Sequence, residues 1–105
     1  MKQFKTGGIR IANFNATWPL VLLTISSEKL KFRIFPFKNI EIYKNEIVSI
    51  EDYSLIPLIG KGIKITLKSN KKFGAFIMES DTIIFWYFGD TKMVIKKIKD
   101  SLKME

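Results

Sequence analysis

Short runs in which apolar and polar residues alternate, followed by one stretch with helical periodicity, constrain this chain more than any other feature. Residues two apart on a strand share a face. Leu30-Lys31-Phe32-Arg33-Ile34, Ile40-Glu41-Ile42 and Ile63-Lys64-Ile65-Thr66-Leu67 therefore each read as a strand with one buried and one solvated side. Strands are expected over 9–15, 20–26, 29–35, 39–43, 47–53, 62–68 and 82–88, with 73–78 either feeding the last or standing as one more. The punctuation between them is turn chemistry: Asn13, Asn15 and Trp18-Pro19, then Ser26-Ser27-Glu28, then Pro36-Phe37-Lys38. Lys44-Asn45-Glu46 reads as a short turn or a single helical winding. The run 20–26 is apolar on both faces and so belongs at the centre of a sheet or under cover on both sides.

After Gly89 the period changes. Asp90 suits an N-cap, because its carboxylate can accept a hydrogen bond from an unpaired amide of the first helical turn. Val94, Ile98 and Leu102, with Ile95 beside them, form an apolar stripe, while Lys96, Lys97, Lys99 and Lys103 face water and suit the negative end of the helix dipole. Six to eight antiparallel strands and one terminal helix leave strand edges and an open end to be covered. A strongly bent sheet curled into a small barrel, with the helix plugging one end, covers both.

At 105 residues the chain fits one domain, 1–105, and its hydrophobic fraction of 47% is too high for disorder. It has no cysteine and no histidine. That excludes disulfides and thiolate chemistry and removes the commonest metal ligand and general base, so neither a cofactor nor a metal is expected. The first eight residues contain no apolar signal-peptide core, and the longest apolar stretches, 18–25 and 83–88, are less than half of the roughly 20 residues a membrane span needs. A soluble, cytoplasmic protein is the expectation.

The net charge of +8 invites an anionic partner such as nucleic acid or an acidic membrane surface. Only Arg10 and Arg33 are arginine, however, and a lysine-, isoleucine- and phenylalanine-rich composition is also what an AT-rich coding sequence produces. Two strand faces concentrate the charge. Lys29, Lys31 and Arg33 alternate with apolar residues on one, and Lys61, Lys64 and Lys68, with Lys71 and Lys72 beyond, lie on and around another. Gly60-Lys61-Gly62 lacks the spacing and the Lys-Ser/Thr ending of a phosphate-binding loop and reads as a turn.

The connection 54–62 is expected to be a loop, since Pro57, Gly60 and Gly62 interrupt regular structure. It is unusually apolar. Leu55, Ile56, Leu58 and Ile59 either cover an open end of the sheet or meet a protein partner. Trp18 and the run Phe85-Trp86-Tyr87-Phe88 suggest base stacking, against the stronger expectation that at least half of that run is core. Material for catalysis is thin. Ser26-x-x-Lys29 falls in a strand-to-strand turn without the motifs that accompany it in acyltransferases, and Glu51 and Asp52 are adjacent on a strand and point apart. Glu79 and Asp81 alone make no metal site.

In order along the chain, Asn13-Phe14-Asn15-Ala16-Thr17-Trp18-Pro19-Leu20, Leu30-Lys31-Phe32, Glu46-Ile47-Val48-Ser49-Ile50-Glu51, Gly60-Lys61-Gly62-Ile63-Lys64-Ile65 and Ile84-Phe85-Trp86 before a short helix resemble the bacterial branch of the pleckstrin-homology-like superfamily. The resemblance spans nearly the whole chain. It implies a mainly β fold, a split barrel of about seven antiparallel strands capped by one C-terminal helix. Phosphoinositide-binding members carry basic residues on the first two strands and the loop between them. Here that loop, Asn15-Ala16-Thr17-Trp18, has no lysine or arginine. The expectation for function is a small non-enzymatic binding or scaffolding module that contacts a protein partner or a second copy of itself through strand edges and the 54–62 connection. The alternative is weak electrostatic binding of anionic lipid or nucleic acid through the lysine-rich strand faces.

Overall fold

The computed structural model describes residues 3–35, 38–56, 59–74 and 77–104. Seven strands follow in order: β1 Gln3–Ile11, β2 Phe14–Ile25, β3 Lys29–Ile34, β4 Lys38–Tyr43, β5 Ile47–Ile56, β6 Ile59–Lys71 and β7 Ser80–Trp86. A single 3-10 turn, Lys44–Glu46, joins β4 to β5, and the helix α1, Thr91–Leu102, ends the chain. All the pairings are antiparallel, in the sheet order β4-β3-β2-β1-β7-β6-β5. The sheet curls into a half-barrel that stays split between its edge strands β4 and β5, and the helix caps it. This matches the split barrel with a capping helix that the pleckstrin-homology-like resemblance implied.

The period-two pattern places the core directly. Leu30, Phe32 and Ile34 of β3 are buried, as are Ile40 and Ile42 of β4 and Ile63, Ile65 and Leu67 of β6, while the residues between them face outward. Phe32 and Phe85 meet at 5.7 Å between ring centroids and join the two halves of the sheet across the interior. Val94, Ile98 and Leu102 of α1 are buried against this core, with Ile95 packed at its margin. The Asp90 carboxylate accepts from the Met93 amide at 3.1 Å, as an N-cap should. Thr91 is buried beside it and donates to Asp52 Oδ1 of β5 at 2.7 Å, which fixes the start of the helix on the sheet.

The first two strands differ from expectation. β1 starts at Gln3 rather than residue 9, and β2 starts at Phe14 and runs through Trp18-Pro19, whose peptide is cis, instead of turning there. The pairing jumps from Ile9↔Ala16 to Gly7↔Val21, so residues 17–20 stand opposite Gly8 alone. That bulge is the corner at which the sheet bends. It hides the alternation, and it needs the glycines: a Cβ on Gly8 would sit 2.6 Å from the Ala16 carbonyl oxygen, and one on Gly7 would collide with the Trp86 carbonyl oxygen.

The connection 54–62 also differs. β5 continues to Ile56 and β6 resumes at Ile59, with Tyr53↔Gly62, Ser54↔Lys61 and Ile56↔Ile59 in register, so a strand hairpin replaces the expected loop. Cross-strand pairing overrides the local effect of the glycines. Among the described residues of 73–78 none is in a strand.

Candidate binding surfaces

Lys29, Lys31 and Arg33 do project from one face of β3, but the neighbouring strand answers their charge. Lys29 Nζ lies 2.7 Å from Glu41 Oε2 and 5.4 Å from the centre of the Tyr43 ring. The hydrogen bond from Lys29, helped by its charge and that of Lys31, holds the Glu41 carboxyl below its ordinary value; the same bond raises Lys29. Lys31 stands in register with Glu41. Arg33 is exposed and its guanidinium lies 5.4 Å from the Phe35 ring centre.

The second set divides. Lys64 and Lys68 share the outer face of β6, as the alternation requires, and Lys64 is in register with Glu51. Lys61 falls on the other parity. It lines a cleft of about 390 Å³ between the β5–β6 hairpin and the start of α1, with Asp52, Tyr53, Ser54, Thr91 and Lys92. Lys71 is committed elsewhere, to Glu46. The six lysines and arginines singled out from the sequence thus occupy three places, and two of the three carry a carboxylate in cross-strand register.

Of the four apolar hairpin residues, Leu58 lies outside the described residues, as does Pro57. Leu55, Ile56 and Ile59 are placed by their backbone at the end of the β5–β6 ladder, where Ile56 pairs with Ile59.

The aromatic residues separate sharply. Phe85 is core and Tyr87 packs on it at 6.2 Å, whereas Trp86 turns to the outer face and meets Tyr53 at 5.8 Å. Phe88 is 76% exposed. It meets Trp18, itself 53% exposed, edge-to-face at 6.0 Å with 75° between the ring planes. Leu20 is 43% exposed, and its carbonyl oxygen accepts from the amide of Phe35, which is 54% exposed. The β2 corner thus carries four large apolar side chains at the surface. Alternation gave no warning of Trp18 and Leu20, because the bulge breaks the period at those residues.

The residues weighed for catalysis do not assemble. Ser26 Oγ donates to the Lys29 carbonyl oxygen at 3.0 Å while the Lys29 amine is held by Glu41, so the Ser-x-x-Lys pair forms no dyad. Glu51 accepts from Ser49 and Asp52 from Thr91, which leaves the two neighbouring carboxylates in separate surroundings. Among the described residues no group of three or more acidic side chains could hold a metal ion, and no helix is long and apolar enough to cross a membrane. Compared with protein-family models, with curated proteins and with solved structures, the chain matches none of them.

Proposed function

We propose that this chain is a non-enzymatic binding module of the pleckstrin-homology-like superfamily that recognises another protein through the β2 corner. One observation carries the reading: Trp18, Leu20, Phe35 and Phe88 are large apolar residues, each more than 40% exposed around the β2 corner, and Trp18 meets Phe88 ring to ring. Tryptophan and phenylalanine are enriched at the centres of protein interfaces, and Trp18 and Phe88 already meet edge-to-face in the free chain. The lysine-rich faces support the electrostatic alternative less well, since Glu41 and Glu51 stand in register with Lys31 and Lys64. The apolar residues of the 54–62 connection, Leu55, Ile56, Leu58 and Ile59, are proposed as a second contact for the same partner.

A photo-reactive phenylalanine analogue at position 88, irradiated in cells of the native source, tests the reading. A covalent adduct to a polypeptide, lost when Trp18 is replaced by alanine, is the expected result. Irradiation that yields no polypeptide adduct contradicts it.

A further inference from the structure

The chemistry around the corner points further, to what the partner must present. Resting on the protein-binding reading above, we propose that the corner takes an acidic polypeptide segment carrying one apolar anchor side chain. The chain has 18 lysines and arginines but only two arginines, Arg10 and Arg33; Arg33 stands against Phe35, and Arg10 pairs with Asn15 of β2. Arg33 is exposed and lies over the Phe35 ring, so its N–H groups are accessible to an incoming carboxylate. Arg10 follows Gly8 by two residues on β1, so it projects from the same outer face that the β2 bulge crosses. Drift toward lysine does not explain where the arginines stand. With a net charge of +8 behind it, the surface attracts an acidic segment and repels a second copy of this chain.

The ring geometry chooses among anionic partners. Trp18 and Phe88 meet edge-to-face at 75° and together expose one apolar surface. Such a surface packs against a leucine or phenylalanine side chain. Successive bases of a nucleic acid need ring faces that lie parallel. Asp90, exposed and two residues beyond Phe88, further disfavours a uniformly anionic bilayer or phosphate backbone, whereas a peptide can place its carboxylates to avoid it.

Nitrogen-15 NMR titration with short peptide probes tests this. A glutamate peptide with a central leucine–phenylalanine pair should shift the Trp18 indole N–H and the Phe88 amide. It should bind about tenfold more tightly than either a lysine peptide with the same centre or a glutamate peptide with a serine pair there. Arg33→Ala should weaken it about threefold or more while leaving the melting temperature in place. Equal binding of the lysine peptide, or of the serine-centred one, overturns the proposal. So does tighter binding at the same resonances by oligothymidylate or by phosphatidylglycerol vesicles, which would assign the corner to nucleic acid or to membrane. The position-88 adduct separates the two ideas: an adduct whose contact segment lacks acidic residues removes the acidic-partner proposal and leaves the protein-binding reading standing, whereas no polypeptide adduct removes both.

Discussion

Lys71 Nζ lies 2.8 Å from Glu46 Oε2, and the same ammonium donates to the Glu41 carbonyl oxygen at 3.1 Å. Glu46 in turn accepts from the Tyr43 amide at 3.0 Å. One lysine at the end of β6 thus occupies a carbonyl on the open edge of β4, and one glutamate occupies an amide there. Edge strands with unpaired N–H and C=O groups recruit other strands, so these two side chains blunt the edge at the split. Lys71→Met should cost about 1 kcal/mol and increase self-association through β4. Denaturant melts and sedimentation of the variant check both effects.

The same pair makes an acid-side prediction. Burial alone would raise the Glu46 carboxyl, but hydrogen bonds from Lys71 and from the Tyr43 amide, with the Lys71 charge, more than offset it and hold the group below 4.5. A carboxyl with a depressed folded-state value contributes stability above its unfolded value, and that stability is lost as pH falls through the folded value. Glu41 has the same sign. Lys29 has the opposite one: its raised value contributes stability below 10.5 that is lost as pH rises through the folded value. Urea midpoints at about pH 7 and about pH 3 should therefore converge in Glu46→Gln relative to the parent. An unchanged difference would remove Glu46 from the acid response.

The corner makes demands of its own on the backbone. Gly8→Ala should destabilise by about 2–4 kcal/mol, because the new Cβ meets the Ala16 carbonyl oxygen at 2.6 Å and neither backbone can retreat without breaking the bulge. Gly62→Ala should cost less, with its Cβ at 3.0 Å from the Phe85 carbonyl oxygen and from the Trp86 ring. Thermal melts that rank the two in the reverse order would contradict the corner geometry.

Two substitutions in α1 separate its packing from its cap. Ile98 is fully buried, so Ile98→Asp should destabilise by several kcal/mol through an unpaired buried charge. Lys103 ends the helix at φ 57°, with its amide and that of Met104 closing back on the last turn. Glycine adopts that conformation without strain, so Lys103→Gly should raise stability by about 0.5–1 kcal/mol.

The alternation in the sequence was enough to place β3, β4, β7 and the middle of β6, and the helical period with its Asp90 cap placed α1, because each of these presents one face to a single core. It failed where a residue answers to something other than period two. Gly7 and Gly8 precede the strand expected from residue 9, yet they are strand residues under crossing backbone. Trp18 and Leu20 sit in a four-residue segment opposite the single residue Gly8, an excess of three that no local pattern announces. The cations were visible as a pattern, but Glu41 lies on the next strand, about ten residues from the charges it meets, and only the register brings them together.

The most direct test of the account is the Trp18→Ala, Phe88→Ala double variant, measured for stability and for partner binding in the same preparation. The account predicts a melting temperature within a few degrees of the parent, since both side chains are more than half exposed, together with loss of the adduct formed from a photo-reactive group at position 35. A variant that keeps the adduct, or one that unfolds, would contradict the claim that the β2 corner is a preformed recognition surface.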